Sequence, residues 1–440
     1  MNVISKIFVG LLGPAAVIAA GTMGAGAVAA LILAGAWFRY ELLWVVPLLL
    51  PLFVVAVDSS SRIGSINRGE GMLTIVRRHL HPSVAWLLLL INVPVHVLVA
   101  MGQLSVMSSA FLSLLGVDPV TAQSTATETD RYLLIEIVTS VSLSALVLWL
   151  ILAQGYDRMQ KAMTALMVVM FVCFVLIALR SFQEAGDILA GFVPRIPDDL
   201  PAPGRDTVRL STSSIIAIVG SAIAPGALLV IPYLSSDARK EQLTLKEDLR
   251  KSILNLGVLF GIYAVCIMIA GGFSLYPLPN HADIETVGDA GQVLTAAFPE
   301  AIGFVGPLIF AIGLFVAAMT TLVICIQVVV YLTLDMFRLP WTFSEDNRNY
   351  RRAVIFTTLA AGVLAPVWSF PALLKVVLLM GVNVLVIPIV IITMIYLLNR
   401  RVVMGEYTAS PVRNGFLILT LAVSIGLAVE KAPHYLDMLL

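Results

Sequence analysis

Runs of about 20 mainly apolar residues, the length a helix needs to cross the hydrocarbon core of a bilayer, recur along this chain between short charged segments. They predict helices near 7–36, 41–57, 83–116, 131–153, 162–180, 211–234, 252–275, 303–334, 353–369, 371–398 and 413–430. The fold class that follows is all-α, a polytopic membrane protein of about eleven transmembrane helices. The first run is too long for a signal peptide and lacks a cleavage site, so it is read as the first span.

Charge gives the bundle a direction. With the N-terminus inside, the inner segments hold 19 of the 27 basic residues, the outer ones hold seven, and Lys375 alone falls within a span. This is the positive-inside pattern, and it predicts a cytoplasmic N-terminus, a C-terminus outside and a location in a prokaryotic inner membrane. The outer segments 117–130 and 276–300 are rich in Asp, Glu, Ser, Thr and Pro. The Pro-rich segment within 183–210 separates a first five-helix block, residues 1–182, from a second, residues 211–398, with 399–440 supplying the eleventh helix. Because five is odd, two such blocks enter the membrane in opposite senses, the inverted-repeat plan of secondary transporters.

Composition agrees. The chain has 440 residues, 59% of them hydrophobic and only 12% charged, with a mean hydropathy of +0.98. No soluble catalytic domain fits, and a formal charge of zero suggests no nucleic-acid partner. Cys173, Cys266 and Cys325 lie in apolar runs at spacings that suit neither a disulfide framework nor a zinc site, and they read as small packing residues. No nucleophile–base set, phosphate loop or cofactor motif is present, so the expectation is a non-enzyme without cofactors. The partners expected are the lipid bilayer, an ion or small-molecule substrate, and a coupling ion.

Inverted-repeat transporters bind substrate near the midplane, where the first helix of each repeat is interrupted. Gly and small residues occur at matching places: Gly21, Thr22, Met23, Gly24, Ala25, Gly26 and Ala27 in the first span, and Gly220 through Ala224, Pro225, Gly226 and Ala227 in the sixth. The same residues also suit close helix packing, but the matched pair favours a site.

With these segments in view, the chain resembles the Nramp family of proton-coupled divalent metal transporters. The resemblance rests on Gly13-Pro14, Gly21-x-Met23, Tyr40-x-Leu42-Leu43-Trp44, Arg62-Ile63-Gly64 and Met404-Gly405-Glu406-Tyr407. It implies the fold but not the family's metal site. Family members carry Asp-Pro-Gly-Asn where this chain has Gly24, Ala25, Gly26 and Ala27, and Met-Pro-His where it has Ala224, Pro225 and Gly226. The acidic pair of helix 3 aligns with Ala100 and Gln103, and a second histidine of helix 6 with Ile231. Met380 stands where the family has a metal-contacting Gln, with Asn383 one turn on.

A dehydrated divalent ion needs several oxygen, nitrogen or sulfur ligands, usually with negative charge. Two helix breaks lined by Gly and Ala provide bare backbone and positive helix ends instead, which favour a small carboxylate-bearing or anionic solute. A transporter of hydrated magnesium or manganese and a non-transporting membrane sensor are the alternatives. Among polar residues within spans, His96 and Gln103 share a helix face and are candidates for a proton relay. Glu136 is placed to pair with a cation from another helix. Lys375 is either a gate that attracts an anion or a side chain snorkelling to the outer headgroups.

Overall fold

The structure is a computed structural model that describes residues 24–439 apart from 118–125, 153–155, 202–207, 237–244, 343–346 and 368–370. Its main helices are α1 (Ala25–Phe38), α2 (Val45–Ile66), α3 (Met72–His79), α4 (Pro82–Leu114), α5 (Ala126–Leu152), α6 (Tyr156–Arg180), α7 (Ser211–Ala222), α8 (Pro225–Ser236), α9 (Leu245–Ser252), α10 (Phe260–Ser274), α11 (Val305–Met336), α12 (Arg348–Leu364), α13 (Ala372–Leu398) and α14 (Pro411–Leu439). Among the described residues, nine helical segments are long and apolar enough to cross a membrane, and α1 adds a shorter apolar helix. The chain is an integral, multi-pass membrane protein.

Each of the eleven runs contains helix, and the departures have local causes. The sixth run is two helices. Pro225 has no N–H to donate and disfavours helical backbone at the residue before it, so α7 stops at Ala222, Ile223 turns out of the helix (φ −96°, ψ 63°), and Pro225 opens α8 from its first turn. The ninth run starts five residues earlier than hydropathy indicates, because the Asn347 side chain accepts from the Tyr350 N–H at 3.1 Å and caps α12 at the polar Arg348. Between α9 and α10 the chain passes through a wider π-turn, Ile253–Leu259. In the connection before α7, β1 (Leu200–Pro201) and β2 (Val208–Arg209) pair antiparallel, with Leu200 opposite Arg209.

Burial separates an inner set of helices from an outer one. In the span formed by α7 and α8, 94% of the apolar window is buried, against 17% for α14 and 22% for α5. Large apolar side chains such as Leu134, Trp149, Leu179 and Phe356 are exposed on the outer helices, as lipid-facing residues are. Close approach inside the bundle depends on glycine. A methyl group on Gly220 would overlap the Met380 carbonyl, which lets α7 lie directly on α13, and Gly64 of α2 meets the Pro232 carbonyl of α8 in the same way. The longest packing surface joins α4 to α11.

Candidate functional site

The α7–α8 break, the start of α1 and the middles of α4, α11 and α13 converge on one cavity of about 40 Å³. Its lining includes Gly24, Gly26 and Ala27 from α1, Ser221, Ala224 and Ala227 from the break, His96 and Val99 from α4, Thr321, Ile324 and Cys325 from α11, and Met380 and Asn383 from α13. Gly24 is extended (φ −71°, ψ 176°) and its carbonyl accepts from the Ala27 and Val28 N–H groups at 3.1 Å, so α1 presents its N-terminus here. Pro225 makes α8 do the same from the other side.

The side chains that enter the cavity are held by defined partners. His96 Nδ1 lies 2.9 Å from the Asn92 carbonyl, an acceptor, so in the neutral ring Nδ1 carries the proton and Nε2 keeps its lone pair. That Nε2 abuts Gly226, where any Cβ would overlap it. Asn383 Nδ2 donates to the Gly220 carbonyl at 3.1 Å, one of the carbonyls that α7 leaves unbonded by ending. This leaves the buried Asn383 Oδ1 without a hydrogen-bond partner among the described residues. The Met380 sulfur is 3.8 Å from the same Nδ2, and Thr321 Oγ1 donates to the Ala317 carbonyl at 3.1 Å. The cavity therefore combines one imidazole lone pair, one amide oxygen, one thioether and one thiol. Among the described residues no three His, Cys, Asp or Glu side chains are placed together to hold a metal.

Of the residues named from sequence, Gly24, Gly26, Ala27, Ala224, Ala227, His96, Met380 and Asn383 line this cavity. Gly21, Thr22 and Met23 lie outside the described residues. Ala25, Pro225 and Gly226 shape the helix starts but are not in its lining. Gln103 is fully buried elsewhere on α4, with neither amide atom hydrogen-bonded among the described residues, so it and His96 do not meet in one site. Lys375 corrects the snorkelling expectation. It is only 2% exposed, because its ammonium turns inward and donates at 3.0 Å both to Ser105 Oγ and to the Ala365 carbonyl. Thr321, which the sequence reading passed over, and Cys325, which it took for a packing residue, also line the cavity. Their four-residue spacing puts both on one helix face, and that spacing was the available signal.

The fold and the sequence both have known counterparts. The family described as natural resistance-associated macrophage protein-like (Nramp) matches residues 15–431. The chain is similar to a protein of Burkholderia ambifaria named divalent metal cation transporter MntH, 23% identical over 329 residues, which covers 71% of this chain and 65% of that protein's length. The crystal structure of an Eremococcus coleocola manganese transporter, in complex with an aromatic bis-isothiourea substituted compound, superposes with a TM-score of 0.71 at 16% identity. It covers 98% of this chain and 87% of the other. The structure of MhsT in complex with L-phenylalanine shares the fold at a TM-score of 0.62 and 11% identity, over 94% of this chain and 97% of that one. This chain belongs to the Nramp family.

Proposed function

We infer that the protein carries one small cation at a time, a divalent metal ion, and that it binds the ion in the cavity between the α1 start and the α7–α8 break. The observation that carries this reading is the content of the cavity. At about 40 Å³ it has room for roughly three water-sized spheres, enough for an ion with a water or two. Into that space the fold brings His96, Cys325, Met380 and Asn383, donors that suit a d-block ion better than magnesium. The Nδ1 bond to the Asn92 carbonyl is the orienting contact that a metal-ligating histidine needs. Cys325 supplies the missing negative charge if metal displaces its proton. The names of the Burkholderia and Eremococcus proteins support the cargo class. The halves that rock about the site are residues 1–182 and 211–398, with the N-terminus on the cytoplasmic side.

A second reading, transport of a small anion, draws on the two positive helix ends at Gly24 and Pro225. Uptake into proteoliposomes separates the two. The cation reading expects saturable Mn²⁺ and Cd²⁺ uptake that exceeds Mg²⁺ uptake, and loss of about 10- to 100-fold in apparent affinity for Asn383→Ala or His96→Ala. Uptake of chloride or acetate with no response to Mn²⁺ or Cd²⁺ would reverse the choice. Gly24→Leu and Gly226→Leu fill the cavity and displace the imidazole, so both are expected to insert normally and to abolish uptake. Full activity in the pair would remove this cavity from consideration.

A further inference from the structure

Lys375, buried, and Glu136, half-buried, are charged side chains within spans that the cavity does not use. Lys375 sits on the same helix as Asn383, eight residues nearer the α13 start, which is about 12 Å along the axis. Its ammonium has three protons, and among the described residues its two hydrogen-bond acceptors, Ser105 Oγ of α4 and the Ala365 carbonyl beyond the end of α12, are both neutral. Ser105 Oγ itself donates to the Ala365 carbonyl at 3.1 Å, so three elements close into one ring of hydrogen bonds. The ring joins the two helices, α4 and α13, that carry His96, Met380 and Asn383 into the cavity. Gly102 keeps those helices close beside the ring, where a side chain would meet Leu379 and Val376.

An ammonium removed from water in this way needs a compensating charge. Glu136 of α5 is the carboxylate placed to provide it, because α5 packs on the Ala365 turn whose carbonyl the Lys375 ammonium holds. Its direction follows from its helix face. Ser140 and Ser144, one and two turns further along α5, both press on Gly362 of α12. Ser140 Oγ donates to the Gly362 carbonyl at 2.9 Å, and Ser144 occupies the space a Gly362 side chain would fill. That face carries Glu136 towards the Ala365 turn, which packs on α5 and α4. Among the described residues, the other titratable groups near them are Tyr132, which precedes Glu136 by one turn and feels its charge, and His96, nine residues back along α4 from Ser105.

The geometry points to Glu136 and Lys375 as a proton-binding site, separate from the cargo cavity, that controls the clasp between α4, α12 and α13. With Glu136 ionised the pair is neutral and the ammonium stays within its ring. One proton from water added to the Glu136 carboxylate leaves the pair at net plus one, with a buried cation that nothing offsets. The clasp then opens towards the side from which α13 begins, and the cavity two turns below becomes reachable. This assignment rests on the cavity being the cargo site, but its test needs no cargo.

The first measurement is pH-difference infrared spectroscopy of the full chain in lipid nanodiscs without metal. A protonated-carboxyl band is expected that titrates in the native protein and vanishes in Glu136→Gln. Lys375→Gln should raise its midpoint by at least about one pH unit, since the cation that favours the carboxylate is gone. Lys375→Arg keeps the charge and should move it less. The second is labelling of Cys325 by a membrane-impermeant thiol reagent applied to the α13-start side, in a Cys173→Ala, Cys266→Ala background. Labelling should rise as pH falls in the otherwise native chain and be high at every pH in Glu136→Gln. A band that survives Glu136→Gln, an unmoved midpoint in Lys375→Gln, or pH-dependent labelling that persists in Glu136→Gln would overturn the assignment. If both measurements succeed and no metal is transported, the cargo reading fails and the proton site stands.

Discussion

At the end of the bundle where α2 turns into α3, a carboxylate ringed by hydroxyl and backbone donors, with an arginine 3.9 Å away, gathers the surrounding elements, whereas at the opposite end a closely paired arginine and glutamate do so. Asp335, near the α11 C-terminus, is 2% exposed and accepts from Tyr233 Oη at 2.6 Å, the Thr74 N–H at 3.1 Å and Thr74 Oγ1 at 2.5 Å. Arg77 donates to the Met336 carbonyl at 2.9 Å beside it. Tyr233 also stacks on Tyr331, with ring centroids 5.4 Å apart, and meets Trp341 edge-on. At the other end Arg209 pairs with Glu285, donates to the Ala282 carbonyl at 2.9 Å and lies over the Trp37 ring at the end of α1. Arg39 bridges Glu184 and Asp187 nearby, each at 3.1 Å.

The difference lies in what each cluster holds. Tyr233 belongs to α8, the half-helix beyond the break, so α8 cannot swing without giving up the Asp335 bond. The Arg209 cluster ties connecting segments to one another and to α1. One end is thus a lock on a half-helix and the other a brace on the scaffold. Removing the lock should cost more and should change which side opens; removing the brace should cost stability alone.

The largest effect is expected for Asp335→Ala, which strands three donors in a buried site and should lower unfolding free energy by about 3 to 5 kcal/mol in mixed micelles. The same variant should increase labelling of Cys325 from the α3 side, and unchanged labelling would refute the lock. Arg209→Ala removes the arginine that pairs with Glu285 and should cost about 2 to 3 kcal/mol, with no change in the labelling of Cys325 from the α3 side. A shift in sidedness there would erase the distinction between the two ends. Tyr233→Phe keeps the ring stack and deletes the hydroxyl that donates to Asp335 and accepts from the Leu73 N–H, so a loss of about 1 to 2 kcal/mol is expected. If it instead matched Asp335→Ala, the aromatic contacts rather than the carboxylate would be holding α8.

The spans were legible because hydrocarbon imposes one requirement on every residue of a run, and a sum over some 20 positions is insensitive to any single one. The break in the sixth span was legible because Pro225 acts on its own neighbours through backbone geometry alone. Lys375 was not, since its neighbours in sequence are apolar and only packing against α4 and the end of α12 gives its ammonium the acceptors that hold it inside.

The chemistry of the cavity divides along the same line. From Gly24, Gly26 and Ala224 the sequence indicates a bare, inert site, and these three residues do line the cavity. Local pattern determined the class of protein, the helices and the place where one of them parts. Tertiary structure decided what stands opposite that gap, because His96, Cys325 and Asn383 lie on three other helices, and which face each helix turns inward depends on packing between spans that are apolar on every side. The few polar residues on such helices, His96 and Gln103 among them, are too sparse to announce an orientation, so the contents of the site emerge only once the bundle has closed.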